Sequence, residues 1–300
     1  MLIFLNVMLP VLLMFASGFI LQAFMHLEIK PISTLAMYLL LPFLVFKIFY
    51  QQELNANFGY IFLILLLILG VLIILGLLVA KVFKFSSQRR NAFLLATIFS
   101  NSGNFGIPLA MFAYGNRAMQ YAMPIMVIHT LFMSFVGIYI AASGSGKGGI
   151  KDALASVLRQ PMNYAIIPGI LCNQLTWEIP SNLMKWVNMI SKTAIPIIML
   201  TLGMQLYEVI GKKINWSEIA FASVVKLLVA PLIAWVLCGL FPISPLLKSI
   251  VIIMTAMPSA ANTTIYAIQY GSDPQYVSAC TFATTILSFL SLTLLLNILI

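Results

Sequence analysis

The chain has 300 residues, 62% hydrophobic and 8% charged, with a net charge of +9. A soluble domain carries about 25% charged residues, so a soluble globule is excluded, as are a disordered segment, a coiled coil, a secreted disulfide scaffold and a nucleic-acid binder. What remains is an all-α polytopic membrane protein, whose excess Lys and Arg belong in loops that orient it in the lipid bilayer.

A helix needs about 20 mostly apolar residues to cross the hydrocarbon core. Windows free of Asp, Glu, Lys and Arg run 1–27, 31–46, 54–80, 91–116, 118–146, 160–177, 193–207, 227–247, 249–272 and 274–300. The eighth extends back through Lys226 to about Trp216, and the seventh is predicted to begin near Val187. The first has no basic n-region and reads as a retained span, not a signal peptide. Ten transmembrane helices follow. The one long connection, SGSGKGGIKDALASVLRQ at 143–160, starts as a Gly/Ser linker. It divides the chain into 1–142 and 161–300.

With the N-terminus outside, the inner loops hold Lys30, Lys81, Lys84, Arg89, Arg90, Lys147, Lys151, Arg159, Lys212 and Lys213. The outer loops hold only Arg117, Lys185, Lys192 and Lys248. The positive-inside tendency therefore predicts both termini outside. Cys172, Cys238 and Cys280 stand in apolar runs without metal-ligand or disulfide spacing and read as packing residues. No cofactor or metal is called for.

The fourth window contains Asn101-Ser102-Gly103-Asn104-Phe105-Gly106-Ile107-Pro108. Its glycines and proline oppose a continuous helix. The ninth window contains Pro258-Ser259-Ala260-Ala261-Asn262-Thr263-Thr264, where a proline is followed by side chains that prefer caps to helix interiors. Tyr114-Gly115 and Tyr270-Gly271 close the two segments, and Pro42 and Pro196 recur at nearly the same interval. The halves thus read as two five-helix repeats. Because five is odd, the second enters the membrane from the opposite side as an inverted repeat.

Unwound backbone is tolerated at membrane depth only inside protein or along a wet cavity. Two breaks at matching depth therefore predict crossing helices 4 and 9, each offering a half-helix N-terminus that favours anions. Pro108 suits a first helical position, where its missing N–H costs nothing. Candidate substrate-binding residues are Asn101, Ser102, Gly103, Asn104, Gly106, Pro108, Pro258, Ser259, Asn262, Thr263 and Thr264.

The ten-span layout, NSGNFGIPL, RQPMNYAIIPGIL, KLLVAPLIA and MPSAANT resemble the auxin efflux carrier family in its short-linker bacterial form, over essentially the whole chain. The resemblance implies a fold similar to sodium/proton antiporters, with a scaffold of spans 1, 2, 6 and 7. Spans 3–5 and 8–10 would move around the crossing. It also implies a small carboxylate substrate such as malate or malonate. Related folds are often dimers through the scaffold spans.

Lys226, about ten residues into span 8, is an intramembrane charge and so a functional candidate, as a counter-charge or a surrogate for a coupling ion. An ordinary Lys paired with a helix C-terminus is the plainer alternative. His129 in span 5 is the deep group that titrates near neutral pH and the candidate proton site. Neither break holds a carboxylate for proton or sodium coupling, and the coupling ion stays open. No HExxH run and no nucleophile–base pair points to an enzyme, and no GxxxxGK[ST] run supplies a nucleotide site. The sequence predicts a secondary transporter of small organic anions in the plasma (inner) membrane, working by alternating access. A channel or ligand sensor of the same fold is the alternative.

Overall fold

A computed structural model describes residues 7–51, 57–143, 161–209 and 216–300, with isolated positions between 151 and 159. Most of the predicted linker at 143–160 lies outside these residues, as do Lys147, Lys212 and Lys213 of the charge count.

The described residues form helices and no β-strand. In chain order these are α1 (Leu9–Met25), α2 (Ile29–Gln51), α3 (Asn57–Val82), α4 (Ser87–Ile98) and α5 (Ile107–Tyr114). Then come α6 (Asn116–Ala142), α7 (Pro161–Gln174), α8 (Ser181–Val209) and α9 (Ile219–Cys238). The last three are α10 (Pro245–Ala256), α11 (Asn262–Tyr270) and α12 (Pro274–Leu299).

Six of these helices, α2, α3, α6, α8, α9 and α12, are long and apolar enough to cross a membrane. The other windows are filled by shorter pieces: α1, α7, and the pairs α4–α5 and α10–α11, each interrupted near its middle. Helix α8 begins six residues before the predicted Val187. Lys185 and Lys192 are exposed, and a charge on an exposed face does not end a helix.

Two layers of packing are evident. In one, α1 lies along α8 and α7 lies along α2, with α2 also on α8. Here small residues let backbones meet. A Cβ on Gly18 would stand 2.0 Å from the Leu200 carbonyl oxygen, and one on Gly203 would stand 2.1 Å from that of Phe15. In the other, α3 packs on α4, α9 on α10, α6 on α10, and α12 on α4. Ser86 and Ser244 cap α4 and α10, accepting from the Arg89 and Leu247 N–H groups. Arg89 pairs with Asp273 at 3.0 Å and lies over the Tyr276 ring at 3.6 Å, tying the start of α4 to the start of α12.

Four π turns interrupt the described helices: Ala36–Leu40 in α2, Ser102–Gly106 before α5, Met133–Gly137 in α6 and Val225–Val229 in α9. Such turns are rare and cluster at functional sites. All four stand around the same place, described next.

Candidate substrate site at the crossing of two broken helices

Helix α4 ends at Ile98 and the chain runs extended through Phe99. Helix α10 ends at Ala256 and does the same through Met257. The two interruptions pass each other as a single antiparallel pair at Ser100 and Ser259. The Asn101 N–H donates to the Pro258 carbonyl at 2.8 Å, and the Ala260 N–H donates to the Phe99 carbonyl at 3.0 Å. Backbone groups that would otherwise be orphaned in lipid thus satisfy one another. The frame is reinforced by side chains. The buried Ser259 hydroxyl donates to the Ala96 carbonyl, and its N–H donates to Thr284 Oγ1 at 3.1 Å. The Thr263 hydroxyl donates to the Ala260 carbonyl at 2.6 Å. Phe105 packs edge-on against Phe15 of α1 at 5.1 Å and at a tilt against Phe289 of α12 at 5.8 Å.

After the crossing each chain re-enters helix. The second starts at Asn262, within the predicted segment. The first starts at Ser102 with a π turn and passes into α5 at Ile107, with Pro108 in the first turn of that α-helix as expected. The Ser102 N–H donates to the Ser100 carbonyl at 2.8 Å, which leaves Gly103 and Asn104 at the N–H end of this turn. The wider turn carries the helix upstream across both glycines.

Two hollows adjoin the crossing. A vestibule of about 480 Å³ runs between α2, α8, α11 and α12. Exposed Lys30 and Glu208 stand at one end of its lining, and Asn101, Ala261 and Thr264 line the crossing end. Glu208 accepts a hydrogen bond from Gln22 of α1 at 2.8 Å. An inner cavity of about 60 Å³ is lined by Ser100, Asn101, Ser102, Gly103, Asn104 and Asn262, with His129 and Thr130 of α6 opposite. Asn101 belongs to both linings. It is only 6% exposed, and its amide nitrogen has no partner. An unpaired buried donor costs about 1–3 kcal/mol, a cost that an incoming acceptor would remove.

Lys226 sits in the π turn of α9 and is fully buried. Its Nζ donates to Ser100 Oγ at 2.6 Å and to the Thr255 carbonyl at 3.3 Å. Ser100 Oγ in turn donates to the same carbonyl at 3.1 Å. The cation thus rests on the C-terminal end of α10 and the extended stretch after α4, where helix dipoles favour positive charge. His129 lines a second small hollow together with Ser100 and Thr255, and its Nδ1 is buried without a partner.

The structure therefore gathers most of the sequence candidates but divides their tasks. Asn101, Ser102, Gly103, Asn104, Asn262 and His129 line the inner cavity, and Thr264 lines the vestibule. Ser259 and Thr263 spend their hydroxyls on the frame. Pro258 supplies the carbonyl that Asn101 uses. Gly106 makes room for Met254 and Met257, since a Cβ there would lie 2.8 Å from Met254 Sδ. Sequence reasoning missed Ser100 and Thr255, which receive Lys226, and Thr284, which holds Ser259. Each is an unremarked hydroxyl in an apolar run, with nothing local to set it apart. Among the described residues no three His, Cys, Asp or Glu side chains gather as a metal would require.

A chain whose described residues are all helical, with six membrane-length apolar helices among them and a polar crossing, is a multi-pass membrane protein. A family profile described as membrane transport protein matches residues 3–296, and the chain belongs to that family, to which the auxin efflux carriers belong. It is 28% identical over 229 residues to an uncharacterized transporter of Methanocaldococcus jannaschii, covering 74% of this chain and 72% of that one. It is 26% identical over 298 residues to an uncharacterized transporter of Methanothermobacter thermautotrophicus, covering 95% of each. A protein of Rhizobium meliloti, provisionally named as a malonate transporter, is 26% identical over 281 residues, covering 87% of this chain and 84% of that one.

Proposed function

We propose that the chain carries small carboxylates across the plasma membrane by alternating access, binding them at the crossing of the two broken helices. The observation that carries this reading is Asn101, a buried and unpaired amide donor shared by the vestibule and the inner cavity. Both half-helices also begin at the crossing, where their positive dipole ends suit an anion. Lys226, one hydrogen bond behind Ser100, supplies a full positive charge without blocking the cavity. Membership of a transport family and the malonate name of one relative support the substrate class.

The proposed machine has ten crossings in two inverted repeats, 1–142 and 161–300. The packing supports it, because exchanging the halves maps the α1–α8 pair onto α7–α2. The same exchange maps α3–α4 onto α9–α10, and α6–α10 onto α12–α4. The matching caps at Ser86 and Ser244 agree. In this reading α1, α2, α7 and α8 are the scaffold, and the remaining helices move. With Lys30 on the cytoplasmic side, the vestibule is the inward-facing path.

Counterflow in proteoliposomes tests the reading, with malonate, malate, succinate, lactate and indole acetate as the panel. Saturable exchange of at least one carboxylate is expected, reduced tenfold or more by Lys226→Met. Passive flux that does not saturate would instead mark a channel. Binding without flux would mark a sensor.

A further inference from the structure

His129 is a titratable group for which the frame has no structural use. It donates or accepts no hydrogen bond at Nδ1, yet it faces the inner cavity with Asn101, Asn104 and Asn262. It also faces Ser100 and Thr255, the two residues that hold Lys226. The surrounding elements leave it alone with that lysine. In the linings of both hollows, α2, α3, α4, α7 and α10 present no titratable side chain to it, and neither does the rest of α6. From α9 the charged group facing this region is Lys226 itself.

This arrangement sets a charge balance. Lys226 offsets one negative charge at the crossing. A carboxylate with two negative charges leaves one uncompensated in a poorly screened site, where that is costly. His129 is where a second positive charge fits among the lining residues. Alone, a proton there would be repelled by Lys226; with a doubly charged anion in the cavity it is attracted. Anion and proton therefore promote each other's binding, and the coupling is reciprocal.

We propose that His129 takes up one proton from water together with each dicarboxylate and releases it with the substrate, so that the carrier is a proton–dicarboxylate symporter. This rests on the transport reading given above. A monocarboxylate, balanced by Lys226 alone, moves without the proton.

The test uses the full-length protein in proteoliposomes. Malonate and lactate exchange are measured from pH 6 to 8, and proton movement is followed with a trapped pH-sensitive dye. One linked proton tightens the apparent malonate affinity by up to about tenfold for each pH unit lowered. Lactate affinity stays flat. An inward malonate gradient acidifies the lumen and a lactate gradient does not. His129→Gln weakens malonate exchange, and the exchange that remains has lost both the pH slope and the proton signal. Malonate's own protonation is common to wild type and variant, so their difference isolates His129. Wild-type malonate exchange with no proton signal, or an unchanged slope in His129→Gln, overturns the proposal and leaves the carrier standing. Should that variant fail to fold, His129→Asn and the wild-type proton signal decide the matter. Absence of saturable exchange for every carboxylate at every pH sinks the transport reading, and the symport with it.

Discussion

Where α1 crosses α8, two unbroken helices touch backbone to backbone through Gly18 and Gly203. Where α4–α5 crosses α10–α11, two interrupted chains touch through hydrogen bonds at Asn101, Pro258, Phe99 and Ala260. Both crossings bring main chains closer than ordinary side chains allow. The first leaves both helices uninterrupted and leaves no room. The second gives up helical bonds, replaces some across the crossing, and leaves a cavity with an unpaired donor at its edge. Closeness from small residues makes a rigid seam, while closeness from broken backbone makes a place that can bind.

The comparison can be broken most severely at the seam. Gly203→Leu drives a side chain into the Phe15 carbonyl and should prevent recovery of monodisperse protein. Gly203→Ala should cost on the order of 1–3 kcal/mol, read from thermal unfolding in detergent. A wild-type melting curve for Gly203→Ala would show that the seam is not rigid. At the broken crossing the expected losses are functional. Asn101→Ala removes a hydrogen bond to a charged ligand, worth about 1.5–3 kcal/mol. Substrate affinity should then fall roughly 10- to 100-fold with no fall in melting temperature. Intact affinity would remove Asn101 from the site.

Two smaller effects sharpen the contrast. Ser259→Ala leaves the Ala96 carbonyl without its donor and should cost on the order of 1 kcal/mol. Affinity should stay unchanged, and a selective loss of binding would transfer Ser259 from frame to site. Gly103→Ala, at the cavity wall, places a Cβ no nearer than 3.7 Å to Met126 Sδ. It should alter neither melting nor expression measurably, in opposition to the same change at Gly203.

Both breaks were legible in the sequence because their signal is local. Glycine, proline and capping side chains in an uncharged window can stand only where backbone is interrupted. Lys226 was legible for the same reason, as a charge where charge is expensive. Its partners were not, since Ser100 and Thr255 acquire meaning only when α4, α9 and α10 meet. The start of the first half-helix at Ser102 was also hidden. A π turn has no composition signal, and Pro108 marked only the first turn of the α-helix that follows it. The start of α8 was misplaced because a rule based on charge-free windows cannot tell an exposed lysine from a boundary.

The π turn in α9 sets an angular phase. It contains one residue beyond an α-turn, and one residue amounts to about 100° of rotation at 3.6 residues per turn. Ala230, Pro231, Ala234 and Cys238 beyond the turn are buried, as are Val225, Lys226 and Leu227 within it, and the extra residue brings the two sets into line. Deleting any one residue of Val225–Val229 would keep α9 long enough to span while swinging its far half by about a quarter-turn. The buried set would then face lipid. A helical wheel drawn straight through α9 misassigns one end of it, and a relative lacking this extra residue would need a different buried face downstream of the lysine.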